Sequence, residues 1–250
     1  MEMTPERWRA TSEYLNVVFG DPGKDLGSTP RDAVIARTLL ALPGQARAAG
    51  LPEIAISSDV GRLLSLLCMM ASPVSGGARV LEIGTLGGYS ALWICRGIGP
   101  SGRLITVESN PKHAEFARAR FTDAQVADQV ELIEGLALDR VDGVAGGAVG
   151  SLDVVFLDAD KRDYPELAKR LKGSLRVGGL LVADNALGSS RWWIDQYPDR
   201  AEFDSAEDHA MAVASREAAD QFGRMMGKDE DFEVACVPIR EGVLIARKRH

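Results

Sequence analysis

From Arg79 onward the chain alternates short apolar runs with longer stretches in which apolar residues recur at helical spacing. RVLEI, RLITV, ELI, DVVFL and GLLVA read as strands. A helix to about Ile98 separates the first two, and another opens at Asn110-Pro111, where asparagine suits the N-cap and proline the first helical position. Strands that recur with helices between them predict a parallel sheet, because each parallel crossover needs a return element on a face of the sheet. DFEVACV and GVLIARK are separated only by PIRE and predict a closing antiparallel hairpin. The expected fold is α/β: a doubly wound, mostly parallel seven-stranded sheet with helices on both faces.

Upstream the period is helical throughout. Helices are predicted from Pro5 to about Phe19, from Pro30 to about Leu42, and from Ser57-Ser58, with DPGKDLGSTP as a loop between the first two. The third carries Leu63, Leu64, Leu66, Leu67, Met69 and Met70, a density that predicts burial around most of its circumference. GVAGGAVGS, residues 143–151, reads as a surface connection. These elements imply one domain over residues 1–250, with 1–70 as a helical cover and 79–250 as the sheet.

Composition narrows the function classes. With 46% hydrophobic and 26% charged residues the chain can bury a sizeable core. Its formal net charge of −7 disfavours an extended nucleic-acid-binding face. The basic Arg247-Lys248-Arg249 reads as a solvated strand end. Cys68, Cys95 and Cys236 lie in apolar segments without disulfide or zinc spacing, which predicts buried thiols in a reducing compartment. MEMTPERWRA lacks the pattern of a signal peptide and no apolar run has membrane-spanning length, so a cytoplasmic protein without a membrane partner is expected.

In open parallel sheets, ligands collect at the carboxyl ends of the strands. The first such end is LEIGTLGGYS, where Gly84, Gly87 and Gly88 permit a tight turn and close approach of a ligand. A dinucleotide fingerprint would need glycine at positions 84, 86 and 89, and Leu86 and Tyr89 break it. Glu108 ends the second strand, placed to accept hydrogen bonds from both hydroxyls of a ribose, and Glu82 adds an acid suited to a cationic ligand. The alternatives are a plain strand-to-helix turn and solvated acids. Taken together, the features favour a positively charged nucleoside without phosphates, and here the chain resembles the class I methyltransferases that use S-adenosylmethionine.

Two further strand ends are acidic. Asp158 and Asp160 follow DVVFL, and Asp184-Asn185 follows GLLVA. Neighbouring parallel strands would bring Asp158, Asp184 and Asn185 together, where unpaired carboxylates repel. Such an oxygen set suits a hard cation, magnesium, manganese or calcium, and not zinc. The bland alternative is that these residues cap the following helices, Asp160 in particular before Tyr164-Pro165.

LEIGTLGGYS, ITVES, EGLAL, FLDADK, GGLLVADN and GVLIARK together resemble the cation-dependent O-methyltransferases, the group of catechol and caffeoyl-coenzyme A methyltransferases, from about Ile56 to Arg247. The resemblance implies Asp158, Asp184 and Asn185 as ligands of a divalent cation, magnesium foremost. It implies Glu82, Gly84, Thr85, Ser90, Glu108, Ala137 and Asp160 at the S-adenosylmethionine site, with Ile56 contributing its main chain. Lys161 falls where catechol methyltransferases place their catalytic lysine, beside the catalytic Asp158.

The implied acceptor is a small aromatic with vicinal hydroxyls, and a homodimer is implied by the resemblance alone. Rival readings are methylation of a hydroxylated RNA base, a non-catalytic S-adenosylmethionine-binding module, and a nicotinamide oxidoreductase. DNALGSSRWWIDQYPDR departs from the family's Leu-Trp-Gly-Gly type of continuation, and residues 1–55 match less clearly. Trp192, Trp193, Trp8 and Tyr14 suit either stacking on an aromatic acceptor or core packing. His113 and His209 have no neighbours in sequence that suggest metal ligation.

Overall fold

The computed structural model describes residues 5–73, 76–145, 149–189 and 192–250. Residues 146–148 of the glycine-rich connection, residues 190–191 of the segment after Asn185, and the side chain of Trp8 lie outside them. The chain forms two compact units, one up to Val80 and over Thr85–Gly135, the other Leu81–Gly84 with Leu136–His250.

In the first unit, α1 (Pro5–Leu15) continues into a single π turn, Asn16–Gly20, and so reaches the predicted end. Helix α2 (Pro30–Ala48) is capped by Thr29, whose hydroxyl accepts from the Asp32 N–H at 3.2 Å. It runs six residues beyond the predicted Leu42, because Pro43 removes one backbone donor without stopping Gln45–Ala48, good helix formers. The stop comes at Gly50, whose φ of 69° lets the chain turn away while the Leu51 N–H reaches the Ala46 carbonyl at 3.0 Å.

Helix α3 (Ser58–Ala71) corrects an expectation. Val60, Leu64, Leu67, Cys68 and Ala71 form one buried face, whereas Leu66, Met69 and Met70 are 51%, 43% and 73% exposed. Its high apolar content therefore reflects two apolar faces, of which the unit covers one. Strand β1 (Arg79–Ile83) is followed by α4 (Tyr89–Ile98), β2 (Arg103–Glu108), α5 (Pro111–Asp123) and β3 (Val130–Glu134). Asn110 caps α5 as expected, its side chain accepting from the Lys112 N–H at 3.0 Å.

The second unit continues with α6 (Ala137–Ala145), β4 (Leu152–Leu157), α7 (Tyr164–Leu171) and β5 (Leu175–Ala183). A two-residue ribbon follows, β6 (Gly188–Ser189) against β7 (Trp192–Trp193), then α8 (Ala206–Lys228), β8 (Phe232–Val237) and β9 (Val243–Lys248). Ribbon and α8 have no counterpart among the predicted elements. The sheet order is β3-β2-β1-β4-β5-β9-β8. Strand β2 runs parallel to β3 and β4 parallel to β5, while β9 is antiparallel to both β5 and β8. All six residues of β4 are buried, as a central strand covered on both faces requires.

The thiols divide. Cys68 and Cys95 are buried as expected, but Cys236 is exposed on β8, the edge strand, where one side has no strand to cover it. Among the described residues no helix is long and apolar enough to cross a membrane.

Candidate active site

In the first unit the glycine loop is held by Glu108. Leu86 sits at φ 47°, a left-handed conformation that costs an L-residue about 1–2 kcal/mol. That turn aims the Leu86 N–H at Glu108 Oε2, 2.8 Å away. Oε1 of the same carboxylate accepts from the Asn110 N–H at 2.8 Å and lies 3.6 Å from His113 Nδ1. Each carboxylate oxygen keeps lone-pair capacity for a further donor. Thr85 shares a hydrogen bond with the buried Thr106 hydroxyl, and Ser90 is buried in the first turn of α4. Ile56 is buried just before α3. His113, five residues past the strand, is a neighbour of the acid that the sequence pattern did not single out.

In the second unit Glu82 is fully buried on β1 and Ala137 opens α6 half-buried. Gly84, at φ 100°, is required by a backbone approach: a Cβ there would lie 2.0 Å from the Asp158 carbonyl oxygen. Asp158 donates its own N–H to the Ile83 carbonyl at 2.9 Å. This glycine thus fits the end of β1 to the end of β4, a reason the sequence could not supply. Asp160 caps the short 3-10 turn Lys161–Asp163 that leads into α7, not α7 itself, accepting from the Arg162 N–H at 3.0 Å while pairing with the Arg162 guanidinium. That pair holds its carboxyl below the usual range.

The acids after β4 and β5 meet. Asp184 is buried, and burial first, then the negative charge of Asp158, pushes its carboxyl up to about 7. Asn185 follows at φ 56°, in the left-handed region that asparagine tolerates better than most residues. Lys161, 9% exposed, directs Nζ to the Ala159 carbonyl at 3.0 Å, to Tyr164 Oη at 2.9 Å and toward Asp158 Oδ1 at 3.4 Å. Tyr164, the first residue of α7, donates its hydroxyl proton to the Leu157 carbonyl at 2.8 Å. No motif marked this tyrosine in the sequence. Among the described residues no three His, Cys, Asp or Glu side chains cluster as a metal site, so any cation here would need the asparagine beside the two aspartates.

A cleft of about 350 Å³ in the same unit is lined by Asp160, Lys161, Arg162, Trp192, Asp208 and Met211 among others. Of the aromatic candidates, Trp192 forms part of this wall. Trp193 is 47% exposed and does not line the cleft, and Tyr14 packs edge-on against Phe19 in the first unit. His209 places Nε2 3.0 Å from the Pro198 carbonyl and its ring edge-on to Phe203, a packing role.

The charge on Asp184 has a consequence for stability. The folded carboxyl holds its proton up to about 7, against an ordinary aspartate value of 3.8. Its contribution is therefore complete below the ordinary value and is lost as pH rises through 7, a span worth on the order of 4 kcal/mol. In chelator, the melting temperature of the wild type should fall relative to that of Asp184→Asn between pH 5 and pH 8. Parallel melting profiles for the two proteins would contradict this reading.

A doubly wound sheet with a glycine loop after its first strand and an acid after its second is the arrangement expected of class I methyltransferases. The O-methyltransferase family model matches residues 36–249. A catechol O-methyltransferase of Mycobacterium tuberculosis is 42% identical over 185 residues, 73% of this chain and 74% of that one. An O-methyltransferase from Bacillus cereus, solved in complex with S-adenosylhomocysteine (SAH), superposes with a TM-score of 0.74 at 26% identity, covering 98% of this chain and 99% of its own. An enzyme of tomaymycin synthesis from Streptomyces achromogenes, solved with S-adenosylmethionine, gives 0.73 at 28% identity over 100% of both chains. The chain belongs to the O-methyltransferase family and is an S-adenosylmethionine-dependent O-methyltransferase.

Proposed function

We propose that the enzyme methylates one hydroxyl of a small aromatic bearing two vicinal hydroxyls, with a divalent cation, magnesium foremost and manganese or calcium as substitutes, held by Asp158, Asp184 and Asn185. The observation that carries this reading is the buried Asp184 beside Asp158: burial, and then the charge of Asp158, push the Asp184 carboxyl up to about 7, and two acids held together in this way suit a cation between them. The donor set is all oxygen, as a hard cation prefers. When bound, the cation supplies Lewis-acid chemistry that makes a phenol, with an ordinary pKa of about 10, far easier to deprotonate.

The chain's own residues have separable roles. Glu108, tied to the backbone at Leu86 and Asn110, is oriented to accept the ribose hydroxyls, with Thr85, Ser90 and the Ile56 main chain beside it in the first unit. In the second unit the resemblance implies Glu82, Gly84, Ala137 and Asp160 as cofactor residues, and the buried acid Glu82 suits a positive charge. Trp192 and Met211 give the cleft an apolar wall for the aromatic ring, and Lys161 lines the same cleft. Lys161, after its ammonium has released a proton to solvent, takes the proton of the reacting hydroxyl as a neutral amine. The oxygen then forms its bond to the methyl carbon as the carbon–sulfur bond breaks, and sulfur leaves with the electron pair as a neutral thioether. Holding these three atoms in line accounts for much of the rate. Support from outside the chain is the relative named for catechol.

The test is incubation with S-adenosylmethionine and a panel of catechols, monophenols and RNA, with and without chelator, followed by mass spectrometry. A singly methylated catechol, absent with chelator and restored by magnesium, is expected. Methylation that survives chelation, transfer to RNA alone, or binding of S-adenosylmethionine without turnover would each overturn it.

A further inference from the structure

The buried hydroxyl of Tyr164 touches three parts of the site at once. It donates to the carbonyl of Leu157, the last residue of β4, at 2.8 Å, and lies 3.3 Å from the carbonyl of Asp184, just past β5. It also accepts from Lys161 Nζ at 2.9 Å. The strand ends do not need this hydroxyl for their own satisfaction, because the Leu157 carbonyl already accepts the Asp184 N–H at 3.0 Å. The ring has a separate job, packing edge-on against the fully buried Phe222 with centroids 5.4 Å apart. Hydroxyl and ring can therefore be tested independently.

We propose that Tyr164 is a positioning residue: its hydroxyl holds the Lys161 ammonium at the long end of its contact with Asp158, 3.4 Å, and so leaves that carboxylate available to a cation. Lys161 has three N–H donors and three oxygens within reach, of which Asp158 Oδ1 at 3.4 Å is the most distant. Remove the phenolic oxygen and one donor loses its acceptor. The Asp158 carboxylate, the one charged acceptor among the three, can then draw the ammonium in from 3.4 Å, and a close ammonium–carboxylate pair there competes directly with a divalent ion. Groups that orient a metal ligand from behind are commonly worth about 10–100-fold in metal affinity or activity. The inference rests on the cation site proposed above.

Tyr164→Phe keeps the ring and deletes the oxygen. Titrated with Mn²⁺ and followed by the electron paramagnetic resonance signal of the free ion, it should bind at least about 10-fold more weakly than wild type. Its kcat for a catechol should fall comparably at fixed Mn²⁺, with the KM for S-adenosylmethionine unchanged. Phe222→Leu, which loosens the packing but keeps the hydroxyl, should melt at lower temperature yet bind Mn²⁺ as wild type does. If Asp158→Ala binds Mn²⁺ undiminished, the cation site itself is wrong. If Asp158→Ala loses Mn²⁺ while Tyr164→Phe keeps wild-type affinity, or while Phe222→Leu weakens binding as much as Tyr164→Phe, the site stands and the role of the hydroxyl is overturned.

Discussion

Asp158→Ala is expected to lose about 10³-fold or more in kcat, because the Lewis-acid contribution of a cation is worth several kcal/mol and each 1.4 kcal/mol is a factor of ten. The loss should not come from unfolding. Burial is the largest cause that raises the Asp184 carboxyl and the charge of Asp158 the next, so deleting Asp158 relieves a repulsion between neighbouring acids. The metal-free variant should therefore melt no lower than the metal-free wild type at pH 8, and should still bind S-adenosylmethionine, since Glu108 and the glycine loop are untouched. Calorimetry with S-adenosylmethionine and turnover of a catechol under saturating magnesium separate these effects. Turnover within about threefold of wild type would remove Asp158 from the chemistry, far short of the several kcal/mol a Lewis acid supplies.

The second large effect is expected at Lys161. Lys161→Met preserves the buried aliphatic stem and removes the charge, and the loss of a positioned general base costs about 10²–10⁴-fold in kcat. Two contributions add. The proton acceptor is gone, and the positive charge that lowers the Asp184 carboxyl is gone with it, so Asp184 holds its proton to higher pH. Raising pH and magnesium together should recover the second contribution and leave the first. The Tyr164 hydroxyl keeps its Leu157 acceptor in this variant, so the fold around the site should survive. Recovery of full kcat at high pH and magnesium would show that Lys161 acts only through Asp184.

How far the sequence reveals such a site depends on whether the signal is local. The strands from RVLEI to GLLVA and the hairpin from Phe232 to Lys248 are legible because period and turn residues are properties of a few neighbouring positions. The Asn110 cap and the meeting of Asp158 with Asp184 follow from the same local signs, once parallel strands are granted. What failed was whatever tertiary covering decides. Apolar density cannot say which side of α3 is covered, and the expected burial around most of its circumference fails at Leu66, Met69 and Met70. Cys236 lies in an apolar run, but its strand is at the sheet's edge. The second helix, expected to end at about Leu42, ends instead before Gly50, where positive φ is used.

The site shows the same division. Gly84 was legible as a glycine that something approaches, but the approaching group is the Asp158 backbone, known only once β1 and β4 are folded. Tyr164 carries no motif: it is one of four tyrosines, and only its depth beneath two strand ends and Lys161 marks it out. The cleft wall at Trp192 and Met211 needs the ribbon and α8 together, and residues 186–205 carry no pattern that joins them.

The most direct measurement is the anomalous scattering of manganese in crystals of the enzyme grown with Mn²⁺ and S-adenosylhomocysteine. A single strong peak roughly 2 Å from an oxygen of each of Asp158, Asp184 and Asn185 is the expected result, at the distance hard cations of this size keep from oxygen. A map with no peak among those three side chains, or with manganese bound only elsewhere, would contradict the account.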